Sequence, residues 1–464
     1  MRATTIERQA GFSLVELLVS MVLVSLVLGV AFELFNSTNK LSRAQLHQAD
    51  LQQASRVAQR DLLRVARMAG RGGLPGYAVA GLNPASAPAS VTPAIEVRNN
   101  ITTADQRLVS GNATSPLVVA GTDVVTVRGH FTSGPVFVDS TDPSVFEPNP
   151  LGGKITIASI GPTGIPQNIA PLVDAVDEER PDAILIVSSL TDLIYGVAEI
   201  DPANSNIASY NPDPLVYSEV TIAYLHTGGF YASQYGLLSA SGVFPDINVD
   251  HPDWLPPREL SNVGMVALLE EYRYYVRDPE DGTAPRLSVG RFFPGTQIPH
   301  CPDCWQSDIA DNIFDLQVAL GFDSSFDGAG STNGFFDFDP DNTGDDDIIV
   351  DGDLVAGATK GLDDWLFNDA ADTTNLGAPP WTPLPASGTD PPLFPSNQPR
   401  PRLYYVRLST LSLAGSADSG YQAPLVTNIE DNVYPTDADN PVNGDEGRQK
   451  RRLLLTTIVD LRNI

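Results

Sequence analysis

Hydrophobic and polar positions fall into three textures along the chain. From Gly11 to Phe35 the sequence reads GFSLVELLVSMVLVSLVLGVAFELF, apolar almost without a break. Such a run is long enough to span a bilayer, which takes roughly 20 apolar residues. From Leu41 the pattern thins to a stripe. Leu41, Ala44, Gln48, Leu51, Ser55, Ala58, Leu62, Val65 and Ala69 recur at alternating steps of three and four, the repeat of one helical face. No proline stands between Phe12 and Pro75. The two textures therefore predict one helix of about 58 residues, roughly 87 Å long at 1.5 Å per residue. Its first part, 12–35, spans a membrane, and its continuation, 36–73, is amphipathic and lies on a globular body. Gly70, Gly72 and Gly73, with Pro75 soon after, end it. Gly29 is the place where the apolar half loosens most easily, since glycine weakens a helix by about 1 kcal/mol relative to alanine.

The third texture, from residue 74 to residue 464, is short β-rich runs separated by Pro, Gly, Asn and Asp. DVVTVRGHF from Asp123, KITIASI from Lys154, AILIVSSL from Ala183 and VTIAYLH from Val220 are examples. MVALLEEYRYYVRD from Met265, PRLSVGRFF from Pro285, PRLYYVRLSTLSL from Pro401 and RRLLLTTIVDLRN from Arg451 follow. Their alternation and β-branched content predict strands. Residues 75–120 and 360–400 read as loops. The expected class is α+β: a long N-terminal helix packed on an antiparallel sheet body with large loop and β insertions.

Charge sharpens this division. The 464 residues carry a net charge of −29, which excludes a nucleic-acid binder that needs Lys and Arg for phosphate contacts. Residues 1–73 hold nine Lys/Arg against five Asp/Glu, a surplus of four positive charges, so the remainder carries −33. A basic rod on an acidic body suggests electrostatic pairing along an assembly. Arg56, Arg60 and Arg64 share one helix face; it is either a solvated face or one that meets an acidic surface.

The N-terminus admits three readings. A secretory signal peptide has a shorter apolar run and a small-residue cleavage site; neither fits. A plain signal anchor explains Arg2 and Arg8 as a positive-inside flank, but not Glu16 or the glycine before Phe12. The third reading explains both. GFSLVE, after a short leader ending in Gly11, resembles the cleavage site of type IV prepilins. The resemblance implies that a prepilin peptidase removes leader 1–11, cutting Gly11–Phe12, and methylates the new N-terminal Phe12. It also implies that Glu16 faces the Phe12 amine of a neighbouring subunit, a pairing that fixes register more than it adds stability. The alternative for Glu16 is that it complements the helix N-terminal dipole.

Later segments extend the resemblance to PilW-like minor pilins. RVARMAGRGG at the end of the rod, DNIFDLQVALGFD from Asp311 and the ending RRLLLTTIVDLRNI are similar to that family's segments. Residues 80–260 and 350–400 show no such match. The resemblance implies a minor pilin that is held in the inner membrane with its body in the periplasm. It then enters the fibre near its tip to prime assembly. Its partners would be other minor and major pilins, the prepilin peptidase, the pilus assembly platform and a tip adhesin. A minor pseudopilin of a type II secretion system shares the N-terminal motif and is the alternative. A third reading makes the long insertions a surface adhesion or binding module that the pilin part presents.

Two constellations could carry chemistry. In FFDFDPDNTGDDDIIVDGD, Asp337, Asp339, Asp341, Thr343, Asp345 and Asp347 fall at every second position, a spacing that turns oxygen ligands inward in calcium loops. Counted from Asp339, Gly344 is sixth, but Val350 occupies the twelfth place where an EF-hand has glutamate. Calcium is the one cofactor suggested; the alternative is a solvated acidic loop. In HCPDCW, Cys301 and Cys304 are the only cysteines. A local disulfide, redox chemistry and a metal site are the three readings, the disulfide being the plainest in an oxidising compartment. No G-x-S-x-G, H-E-x-x-H or phosphate loop occurs, and the chain reads as a structural protein rather than an enzyme.

Overall fold

The computed structural model describes residues 13–70, 94–103, 106–108, 115–132, 134–138, 145–149, 152–179, 183–187, 195–209, 219–225, 243–244, 258–259, 264–279, 283–292, 306–323, 364–367, 402–418, 420–430, 432–438 and 440–461.

One helix runs unbroken from Leu14 to Ala66, 53 residues. Ser13 caps it, and the amide of Arg67 closes on Leu63 O. The chain leaves through a turn in which Gly70 takes φ 69°, a left-handed conformation that glycine adopts without strain. The expected stripe docks only in part. Leu51, Ser55, Ala58, Leu62, Val65 and Ala69 are buried, whereas Leu41 and Gln48 are exposed. The rod therefore stands clear of the body until His47, which is half-buried and whose Nε2 lies 3.1 Å from Ser416 Oγ. Gly29 has nothing within 4 Å, and the helix continues through it.

The docked half lies on two antiparallel sheets. One places its strands in the order Ile95–Arg98, Val124–Gly129, Glu270–Asp278, Arg286–Phe292 and Gln306–Asp311, with Leu117–Val118 also paired to Glu270–Asp278. The other has the order Asp364–Phe367, Ile313–Asp323, Arg402–Leu413 and Arg452–Asp460. Only Asn312, at φ 61°, separates the last strand of the first sheet from the second. Val125, Val127, Tyr274, Val276 and Val289 of one sheet and Leu316, Val318, Val406 and Leu408 of the other join Ala58, Leu62 and Val65 in one core. Polar bonds fix the register of helix on sheet. Ser55 Oγ meets Ser412 Oγ at 2.6 Å, and Gln59 donates to Leu455 O at 2.9 Å and accepts from Thr457 Oγ1. Tyr274 donates its hydroxyl to Asp61.

A third sheet forms a separate lobe. Its order is Val136–Phe137, Met265–Leu268, Ala183–Val187, Tyr195–Ser209, Glu219–Leu225, Gly152–Ala158 and Phe146–Asn149, all antiparallel. The short helix Ala170–Asp177 buries Leu172, Val173 and Val176 against it, and these join Ile155, Ile157, Ile184, Ile200, Val220, Ile222, Val266 and Leu268 in a second core. The lobe grows out of a hairpin: Val124–Gly129 and Glu270–Asp278 are direct neighbours, with Gly129 opposite Glu270. The segment MVALLEEYRYYVRD, which reads as one strand, is two. Met265–Leu268 belongs to the lobe and Glu270–Asp278 to the helix-facing sheet. Alternation sends Val266 and Leu268 into the lobe core, while Met265 and Leu269 reach the helix-side core.

At this neck, ionic groups are buried. Arg128 is 2% exposed and stands opposite Glu271, which is 0% exposed. Arg128 binds Glu271 and Glu96, each at 2.6 Å, and Arg273 also binds Glu271 at 2.6 Å. Beside them Glu270 accepts the amides of Phe131 and Thr132 and pairs with Arg291. Burial pushes the Glu271 carboxyl up, but the charges and hydrogen bonds of Arg128 and Arg273 outweigh it and hold Glu271 below the usual carboxylate range. Glu271→Ala leaves Arg128 in the interior without the more deeply buried of its two anions and is expected to cost about 3 kcal/mol or more. Urea unfolding of the detergent-solubilised chain measures it; a loss below about 1 kcal/mol contradicts the assignment.

Candidate functional site

The N-terminal end of the helix is the site that the sequence singled out. Ser13 has extended backbone angles and its Oγ accepts the amide of Val15 at 3.3 Å. Glu16 turns back and accepts the amide of Ser13 at 3.0 Å. Together they form a capping box, the local reason why the helix starts here. In the single chain Glu16 therefore makes the contact expected of a helix-start acid. Gly11 and Phe12 themselves lie outside the described residues.

Beyond Glu16 the surface is uncharged and, apart from Ser20 and Ser25, apolar for four turns. Residues 17–32 contain no Asp, Glu, Lys or Arg, and at 1.5 Å per residue they cover about 24 Å. Leu14, Leu18, Met21, Val22, Leu26, Val27, Val30 and Phe32 are all exposed. Exposure of this much aliphatic surface in water is untenable; a lipid or protein environment must cover it. This is the one helix among the described residues long and apolar enough to cross a membrane. Ser20 and Ser25 spend their hydroxyls on the carbonyls of Leu17 and Met21, so they expose no unpaired donor to that environment. Glu33 closes the apolar stretch on its far side.

The other expected residues divide plainly. Asp337, Asp339, Asp341, Thr343, Asp345 and Asp347 lie outside the described residues, as do Cys301 and Cys304. Among the described residues no group of three or more His, Cys, Asp or Glu is placed to hold a metal. Arg56, Arg60 and Arg64 are exposed, and Arg64 pairs with Asp61 on its own helix at 2.9 Å.

Pattern reading missed a buried polar cluster under the C-terminal sheet. Asp315 accepts from Gln317 Nε2 at 2.8 Å, Asn432 Nδ2 at 3.1 Å and the Tyr434 hydroxyl. Next to it Asp123 accepts the amides of Asn100 at 2.8 Å and Val318 at 2.8 Å, stitching this sheet to the loop before Val124. Burial dominates at Asp315 and raises its carboxyl to about 6, against the lowering effect of its three side-chain donors and the Leu316 amide. Burial likewise pushes the Tyr434 hydroxyl up, helped by the neighbouring Asp315 charge. Nothing in spacing along the chain announces this set, because Asp123, Asp315 and Tyr434 come from three distant segments. It ties the fold together.

Comparison with known proteins bears on the N-terminal end alone. The prokaryotic N-terminal methylation motif matches residues 7–32, which include Gly11, Phe12, Ser13 and Glu16. No curated protein and no solved structure matches the chain. Residues 7–32 thus carry a prepilin-type signal, which marks the chain as a pilin-like or pseudopilin substrate of prepilin peptidase.

The Asp315 cluster predicts a pH signature. Its folded-state value of about 6 lies above the ordinary 3.8, so the folded form holds the proton more tightly. The stabilisation is complete below about pH 4 and is lost as pH rises through 6. Relative to Asp315→Asn, the native chain should gain about 2–3 kcal/mol between pH 7 and pH 4, since each tenfold gain in proton affinity is worth about 1.4 kcal/mol. Parallel pH titrations of the unfolding midpoint test it; a constant difference contradicts it.

Proposed function

We propose, from the prepilin-type signal at residues 7–32, that this chain is a minor pilin of a type IV pilus machine. Prepilin peptidase cuts Gly11–Phe12, and the apolar half of the helix then anchors the protein in the inner membrane with its body in the periplasm. Later the same half enters the core of the fibre, at or near the tip, where the protein primes assembly with other minor and major pilins. The observation that carries this reading is the division of one helix. Its second half is locked into a two-sheet core, and its first half is an apolar rod that the body leaves entirely uncovered. Glu16, beside the future N-terminus, is the charge that a neighbour's Phe12 amine would meet once packing excludes water. The chain acts as a structural component rather than an enzyme, with calcium at Asp337–Asp347 as a proposed ligand of the body.

A pseudopilin would share the signal and the anchor. Fibres sheared from cells and read by mass spectrometry separate the two. The expected result is a mature chain starting at methylated Phe12 in the sheared fibres. The processed chain confined to the envelope favours a pseudopilin, and an uncut Met1 chain contradicts both.

The lobe supports a second element of the reading. Its seven-stranded sheet and short helix enclose a core of their own, attached through one hairpin. Such an insertion suits a module that the pilin part presents to a surface or an adhesin. Replacing residues 131–268 by a short turn should leave processing and piliation intact and abolish adhesion; loss of piliation would assign the lobe to assembly instead.

A further inference from the structure

The C-terminal strand Arg452–Asp460 ends its sheet and pairs on one side only, with Arg402–Leu413. The amide of Ala414 donates to Arg451 O at 2.7 Å, in register with that pairing. In an antiparallel ladder this phase turns Leu453, Leu455, Thr457 and Val459 toward the partner strand. It leaves the N–H and C=O groups of Arg452, Leu454, Thr456 and Ile458 pointing away. No described residue pairs with that side. The side chains along it are open as well: Leu454 is 48% exposed and Ile458 60%, with Thr456 between them. Residues 453–459 contain no charge, proline or glycine, and the pairing has no bulge. Soluble proteins protect free edges with such devices; here they are missing.

At the start of the strand stands a basic cluster in an otherwise acidic body. Three of its members are engaged. Arg448 Nε donates to Ala423 O at 3.2 Å, Lys450 pairs with Glu446 at 3.0 Å, and Arg451 pairs with Asp418 while lying over the Tyr421 ring. Arg452 is different: Nε, Nη1 and Nη2 are all shielded from solvent, and none has a hydrogen-bond acceptor among the described residues. A shielded guanidinium without an acceptor is costly. A carboxylate that draws it out would satisfy two of its donors at once.

We propose that this edge is a strand-addition site for an extended segment of another protein, alternating in apolar residues and bearing a carboxylate that reaches Arg452. Main-chain bonds would supply the affinity, and Leu454, Ile458 and Arg452 the selectivity. A second copy of this chain is the wrong occupant. Antiparallel pairing of two such edges places a two-fold axis normal to the sheet. The long helix lies on the face of that same sheet, through Ser55 and Gln59, so the axis would reverse one helix against the other. Two chains anchored in one membrane by their N-terminal halves cannot adopt that arrangement, an argument that rests on the anchoring proposed above. The added strand itself does not require that the chain enter a fibre.

The test uses the full chain in detergent and a labelled nine-residue peptide of alternating valine and threonine. The peptide ends in glutamate, which antiparallel addition sets opposite Arg452. A second peptide ends in lysine. Anisotropy should show the glutamate peptide binding at least tenfold more tightly than the lysine peptide, and hydrogen exchange should slow at Leu454, Thr456 and Ile458. Arg452→Gln should remove the preference for glutamate. The double variant Leu454→Lys, Ile458→Lys, which alters only exposed side chains, should lose binding with its unfolding midpoint unchanged. Equal binding of both peptides, no binding, or protection away from these amides overturns the proposal. So does a dimer of the native chain that the double variant abolishes, because a second copy would then hold the edge.

Discussion

The pairing of Arg128 with Glu271 is the interaction on which the architecture depends. These residues sit directly opposite each other on adjacent strands, fully enclosed. The same strand end carries two more attachments. Gly70, just past the long helix, donates its amide to Arg128 O at 3.0 Å. Gly129 lies so close to the helix exit that an added Cβ would stand 3.1 Å from Met68 O. Immediately afterwards the chain departs into the lobe. Rod, helix-facing sheet and lobe therefore meet within a few residues. A buried ion pair is an expensive way to join them compared with an apolar contact, but it tolerates only one geometry, and one geometry is what a three-way junction requires.

The helix does two jobs with one continuous backbone. From Leu51 onward its small and aliphatic side chains fit between two sheets, and Ser55, Gln59 and Asp61 add directional bonds to Ser412, Thr457 and Tyr274. Among the described residues before Leu51 no side chain is fully buried, and His47 reaches the body at Ser416 Oγ. The boundary has no proline or glycine to mark it. It lies where the stripe loses its sheet, so the uncovered half is held straight by its own hydrogen bonds and oriented by the docked half.

Much of this was legible because it is periodic. The helix, its apolar first half and most of the named strands follow from steps of three and four or of two. At Glu16 the sequence suggested an acid that complements the helix dipole, and the structure adds the capping box with Ser13. What escaped was whatever depends on distant partners. The stripe from Leu41 to Gln48 has the right spacing, yet Leu41 and Gln48 stay exposed and the body reaches this segment through His47 and Ser416. MVALLEEYRYYVRD is apolar enough for one strand; that Leu269 divides it between two sheets follows from the lobe's attachment, which local pattern does not encode. The short helix Ala170–Asp177 has only eight residues, too few for a clear period. Asp123, Asp315 and Tyr434 converge from positions too far apart for any spacing rule.

The way the lobe is attached also decides how it bears load. Its two connections leave from neighbouring ends of antiparallel strands, Gly129 and Glu270. A pull on the lobe would therefore act on that hairpin by peeling, which loads the cross-strand bonds one after another instead of all together. The first rung to be stressed is Gly129 with Glu270, and the next is Arg128 with Glu271. Glu270 grips the amides of Phe131 and Thr132 on the departing chain, and the buried charges reinforce the rung behind it. The densest bonding of the neck thus stands at the tip of the crack, so a tether weak by geometry is strengthened at the place where it would begin to open.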